Sequence, residues 1–141
     1  MARVEVVARA PLPRGLKTHL QRALGGLMKE LDVREALSVI LSQDEELIEL
    51  KERFWGERAP TDVLSFPTYE PGDPFRPPYL GEIFISLEQA ERQAQEAGHP
   101  LEAEVLVLAA HGLWHLLGHD HTDEASWEGF LAVQRRILEL A

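Results

Sequence analysis

The segment from Leu101 to Leu117 constrains this chain more than any other. Its second half reads VLVLAAHGLWHLL and is almost wholly apolar around the helical circumference. A helix of that kind has no face to give to water, so it belongs at the centre of a core with other elements packed round it. With 141 residues the chain can build that cover within one domain, without disulfide or metal staples. No run reaches the roughly 18 apolar residues that a membrane span needs. The N-terminal MARVEVVARA alternates charge with apolar residues and lacks the apolar stretch of a signal peptide. The expectation is a cytoplasmic protein with no membrane contact.

The flanking segments supply the cover. Residues 3–9 and 36–41 predict strands, the second short and buried. Between them, Leu16, Leu20, Ala23, Leu24, Leu27 and Leu31 recur at helical spacing, with Pro13 suited to the first turn of that helix. Ser42-Gln43-Asp44-Glu45 has the form of a capping box and opens a second helix that Gly56 ends. Residues 62–66 and 80–85 predict two more strands. The stretch 67–78 between them holds five prolines and Gly72, which makes it a loop. A second capping box, Ser86 to Gln89, starts a helix that Gly98 closes. After the central helix, Thr122 can cap a last one, with Trp127, Phe130, Leu131 and Leu138 as its inner face. The predicted order is β-α-β-α-β-β-α-α-α. This is one α+β domain over residues 1–141, a small mixed four-stranded sheet packed against about five helices.

Composition removes whole classes of chemistry. There is no cysteine, which excludes disulfides, zinc ribbons, thiol catalysis and iron–sulfur clusters. Any metal site must use histidine and carboxylate. The formal net charge is −10 and does not suggest a polyanion-binding protein. The excess is local, however. Residues 1–58 hold ten basic and ten acidic side chains, residues 59–141 four and fourteen.

Four of the six histidines fall within eleven residues, 111–121. His111 and His115 are four apart, so both rings leave one face of the central helix, one turn apart. Two imidazoles so placed can reach a single ion. His121 would point elsewhere on a continued helix. Gly118 can take the left-handed conformation that ends a helix and turns the chain back, which lets His121 join the other two. A lone histidine on an apolar helix is usually a packed core residue. A pair on so apolar a helix would be desolvated without recompense unless something bound it. Three histidines leave a fourth tetrahedral position open, the catalytic pattern. The predicted site therefore holds one divalent ion at the end of the central helix, zinc first, with His111, His115 and His121 as ligands.

The spacing H-x-x-x-H-x-x-G-x-x-H is also that of metzincin peptidases, but Gly112 stands where their general-base glutamate belongs. The longer pattern resembles another family. His111-Gly112-x-x-His115-Leu116-x-Gly118-x-Asp120-His121 is similar to the metal motif of the YbeY family, bacterial ribosomal-RNA maturation factors and endoribonucleases. Pro60-Thr61-Asp62-Val63-Leu64-Ser65-Phe66-Pro67 resembles its second signature, and Leu80-Gly81-Glu82-Ile83 a third in which aspartate usually replaces Glu82. The resemblance covers nearly the whole chain. It implies a single-strand-specific, metal-dependent endoribonuclease. The implied roles are maturation of the small-subunit rRNA 3′ end and ribosome quality control, in contact with the small ribosomal subunit and its proteins. It also implies an arginine before the Pro-Thr-Asp block; here that position is Trp55, flanked by Arg53 and Arg58, which become the two candidates for the missing cation.

The expected chemistry is metal-assisted phosphodiester hydrolysis, with a nearby arginine stabilising the charge that develops. Asp120 could orient a ligand imidazole or simply cap the turn, Glu82 could face the site from the sheet, and His119 should lie at the surface. Trp55, Tyr69, Phe75 and Tyr79 could stack on unpaired bases. Ser65 lies inside a strand without the glycine-flanked elbow of a nucleophile. Two other readings stay open: a peptidase or amidohydrolase, and a non-catalytic ribosome assembly factor whose metal only holds the fold.

Overall fold

The computed structural model describes residues 3–70, 77–119 and 124–141. Four strands, β1 (Val4–Ala8), β2 (Ala36–Ser42), β3 (Val63–Pro67) and β4 (Tyr79–Ser86), form one mixed sheet in the order β1-β2-β4-β3. β1 and β2 run parallel, as do β2 and β4, whereas β3 is antiparallel to β4 and forms an edge. The register sets Val6 beside Val39, Val39 beside Ile83 and Ile83 beside Ser65. Five helices cover the sheet: α1 (Leu16–Glu30), α2 (Asp44–Trp55), α3 (Leu87–Ala97), α4 (Leu101–Leu116) and α5 (Glu124–Leu140). The α+β architecture and the element order are those the sequence predicts.

The two faces of the sheet are unequal. One carries the main core, where Leu20, Leu24 and Leu27 of α1 and Val105, Leu106 and Leu113 of α4 meet Val39, Ile83 and Ile85. The other carries a smaller cluster, Ile40, Leu47, Leu64 and Phe84, which is the ground on which α2 sits. The strand pleat sends alternate residues to opposite faces, so Ile83 and Ile85 serve the first core and Phe84 the second. The buried residues of α4 include Val105, Leu106, Leu108, Ala109, Ala110, Leu113 and Leu116, as its all-round apolar sequence demands. Among the described residues no helix is long and apolar enough to cross a membrane.

Three local expectations are corrected. Pro13 lies before α1 rather than in its first turn, and Gly15 occupies the N-cap. Ser42 does not cap α2: it ends β2, Gln43 takes the N-cap without a side-chain bond, and the Ser42 hydroxyl donates to Glu46 at 2.5 Å. The pairing of β2 with β4 runs through Ser42, which stands opposite Ser86, so the helix starts one residue later. The second capping serine behaves as predicted, Ser86 Oγ accepting from the Gln89 N–H at 3.1 Å. The third correction concerns α5, whose buried residues are Phe130, Val133 and Ile137, while Trp127, Leu131 and Leu138 are 45%, 39% and 42% exposed. Leu131 and Leu138 each sit one residue, about 100°, round the helix from the buried stripe. Thr122 and Asp123 lie outside the described residues.

That reassignment has a measurable consequence. Ile137→Ala should cost about 2–5 kcal/mol of unfolding free energy as a fully buried truncation. Leu131→Ala should change it by no more than about 0.5 kcal/mol. Urea denaturation of the two variants checks this; equal losses would return Leu131 to the inner face.

Candidate metal centre

The site begins with a missing side chain. A Cβ at Gly112 would stand 2.5 Å from Ile83 Cγ2, so only glycine lets α4 lie this close to β4. The Ser65 hydroxyl donates to the Gly112 carbonyl at 3.2 Å and ties the same turn of α4 to β3. Ser65 is thus a brace, in keeping with the expectation that it is no nucleophile. The approach also explains why no glutamate can occupy the metzincin position: residue 112 faces the sheet.

With Gly112 against the sheet, His111 and His115 emerge at its β3 edge. Both are half-buried. Their Nε2 atoms are 2.9 Å apart, with ring centroids at 4.7 Å and planes inclined by 32°. Two nitrogens that share one ion at about 2.0–2.1 Å cannot be more than about 4 Å apart, and this pair lies well inside that limit. The buried ring of Phe130 on α5 meets His111 edge to face, centroids 4.7 Å apart at 79°. It limits the freedom of that imidazole.

The end of α4 follows the sequence closely. Gly118 has φ 93°. Its N–H bonds the His115 carbonyl at 2.9 Å, and the His119 N–H bonds the Trp114 carbonyl at 3.2 Å. This pair of bonds is a Schellman motif, which stops the helix and reverses the chain. His119 is exposed, as expected, and stacks on Trp114 with centroids 3.9 Å apart and planes 17° apart. His121 and Asp120 lie outside the described residues, and among the described residues no three His, Asp or Glu side chains gather as a metal site.

The two histidines open into a cleft of about 520 Å³ lined also by Lys51 and Trp55 of α2, by residues 61–65 and by Pro67. Arg53 and Arg58 do not line it. They border a separate depression with Glu49 and Glu52. The Arg58 guanidinium bonds Glu52 at 3.0 Å and Glu45 at 3.4 Å, and the hydrogen bond to Glu52 chiefly raises its pKa above the ordinary value. Glu82 is exposed on β4 between inward Gly81 and Ile83. The pleat puts it on the sheet face opposite α4, so it does not face the histidines. Tyr69 and Tyr79 spend their hydroxyls inside the fold, on the Leu116 carbonyl at 2.5 Å and on Ser38 Oγ at 2.8 Å, and Phe75 lies outside the described residues. Lys51 is the lining residue that sequence reasoning missed. Its four-residue spacing from Trp55 puts both on one face of α2, but only the packing of α2 shows that this face lines the cleft.

Comparison with known proteins fits this geometry. The profile of the family described as Endoribonuclease YbeY matches residues 8–141. The chain belongs to the YbeY family. A relative from Thermus thermophilus named Endoribonuclease YbeY is 62% identical over 97% of this chain and 99% of its own length. One of the same name from Deinococcus radiodurans is 51% identical over 84% of this chain and 77% of its own. A Thermotoga maritima protein solved in solution superposes with a TM-score of 0.68 at 27% identity, covering 99% of this chain and 90% of that one. The metzincin spacing in this YbeY chain therefore belongs to a different family.

The Gly112–Ile83 contact can be tested directly. Gly112→Ala should lose about 1–3 kcal/mol through overpacking. Ile83→Ala in the same chain, which removes all three side-chain carbons that the new methyl group would meet, should return part of that loss, and thermal unfolding of the single and double variants would reveal this as non-additivity. Additive losses would mean that α4 does not rest on Ile83.

Proposed function

We propose that this protein is a metal-dependent endoribonuclease. It cuts unpaired RNA in ribosomal RNA maturation, at the small-subunit rRNA 3′ end, and in ribosome quality control, with the small ribosomal subunit as its partner. The observation that carries the reading is the His111–His115 pair, Nε2 atoms 2.9 Å apart, at the floor of an open cleft. Its support is membership of a family whose curated relatives are named endoribonucleases.

His111, His115 and His121 would hold one divalent ion, zinc foremost, because a cysteine-free histidine set suits it. When bound, such an ion supplies Lewis acidity toward a phosphoryl oxygen. The chain's own groups do the rest. Phe130 holds the His111 ring, and the Ser65–Gly112 bond fixes the turn that carries both imidazoles. The β3 edge and α2 form the walls within which a strand of RNA is positioned. Holding the scissile group in one orientation is itself a large part of the rate gain in such reactions.

Incubation with unpaired RNA, duplex RNA and casein, with and without chelator, tests the reading. The expected result is cleavage of unpaired RNA alone, abolished by chelator and restored by zinc. His115→Ala should lower the rate at least about 100-fold and reduce the metal found by elemental analysis, with the circular dichroism spectrum retained. Cleavage of casein but not RNA would reject the proposal. Rescue of rRNA processing by His115→Ala in a deletion strain would make the protein a non-catalytic assembly factor.

A further inference from the structure

We infer that Lys51 and Trp55 form a nucleotide subsite beside the histidine pair, the ammonium meeting a phosphate and the indole stacking on an unpaired base. The inference rests on the proposed function and names how this site selects its substrate.

The two residues are four apart on α2, so their side chains leave one face of the helix. Both line the cleft that contains His111 and His115, and among the described residues Lys51 is its only lysine or arginine. The Lys51 side chain is 24% exposed, and its ion pair with Glu57 is long, 3.9 Å. Arg58, by contrast, is held by two glutamates outside the cleft. Asp62, a carboxylate in the cleft wall, is engaged by the Gln93 amide at 3.2 Å. Among the described residues the one lysine or arginine that lines the histidine cleft is thus weakly committed to its neighbour.

Trp55 is 54% exposed, an unusual position for the largest apolar side chain. It is held from behind. Its ring lies 5.5 Å from Phe66 and 6.5 Å from Phe54, and Phe66 is braced edge-on against Phe84 at 5.5 Å. A rigid indole seated on other aromatics, with half its surface in solvent beside a cation, matches the platform-and-cation arrangement by which single-stranded nucleic acids are gripped. Every base has a π face, so such a platform reads no sequence. It does read pairing, because the faces of bases within a duplex are already covered by their neighbours. The subsite therefore accounts for selection of unpaired RNA without a basic patch.

The test uses the full chain with its metal and a 2′-O-methylated oligoadenylate, chosen to slow cleavage. Binding is followed by fluorescence anisotropy over a range of salt, beside kcat and KM on the unmodified oligoadenylate. Trp55→Ala should weaken binding about 5- to 150-fold, the span of one lost stacking contact, while Trp55→Phe keeps most of it. Lys51→Ala should reduce the slope of log affinity against log salt by about 0.7, the change for one phosphate on a single strand, and Lys51→Arg should restore it. Circular dichroism spectra should match the parent, because neither residue is among the buried core residues. Parent-like binding by Trp55→Ala overturns the stacking role, and an unchanged salt slope in Lys51→Ala overturns the phosphate role. Either result leaves the endoribonuclease reading intact so long as the parent protein cleaves. A parent protein that neither binds nor cuts the oligoadenylate overturns both proposals.

Discussion

Where α4 crosses β4 there is no side chain on the helix, and the rest of the site depends on that gap. A single methyl group at Gly112 would overlap Ile83. Interiors are packed too densely to absorb such an overlap locally, so the helix would have to lift. Lifting α4 would separate the Gly112 carbonyl from Ser65 and move both imidazoles away from the β3 edge. The contact thus settles two things together: the depth of the central helix in the core and the place where its only polar side chains in this stretch reach solvent.

That placement resolves a conflict within the helix. Val105 to Leu117 needs burial on nearly every side, whereas an imidazole pair is costly to bury without partners. An edge strand offers the compromise. β3 covers one flank of α4 through Ser65 and ends the sheet, so the residues beyond it look into a cleft rather than into a second layer. Phe130 then supplies an apolar wall on the far side of His111. The Schellman turn at Gly118 stops the helix one residue past His115, before its apolar face would have to extend past the sheet.

Much of this was legible beforehand, and the reasons differ by element. The strands and helices follow from apolar periodicity, because each buries one face and the sequence records which one. The turn at Gly118 was legible because few residues accept that backbone conformation. The inner face of α5 was not. Trp127, Leu131 and Leu138 are as apolar as Phe130, Val133 and Ile137, and only the angle at which α5 crosses its neighbours chooses between the two stripes. Capping at Ser42 failed because the sheet keeps that residue: its pairing with Ser86 of β4 is a long-range contact that the local motif does not record. Within the candidate site, the His111–His115 pairing was written in a four-residue spacing, whereas the third expected ligand, His121, falls outside the described residues. Lys51 was hidden because a lysine on an amphipathic helix is ordinarily solvated. What distinguishes it is that α2 packs on the second face of the sheet and brings its last turns round to the β3 edge, a fact of tertiary assembly with no local signature.

Net charge gives the same lesson at longer range. An overall charge of −10 argues against a protein that gathers polyanions through its field. Screening confines such a field to about 8–10 Å at ordinary ionic strength, so what a phosphate meets is decided by the side chains within that distance. The cleft joins α2, from the half of the chain whose charges balance, to α4, whose histidine-bearing turns carry no carboxylate, and among the described residues Asp62 is the one carboxylate that lines it. In the proposed subsite one cation and one indole would receive a strand that the remainder of the acidic surface repels. On that proposal repulsion elsewhere would be useful: it would suppress binding at random along an RNA and leave affinity to the places where an unpaired base can reach the cleft.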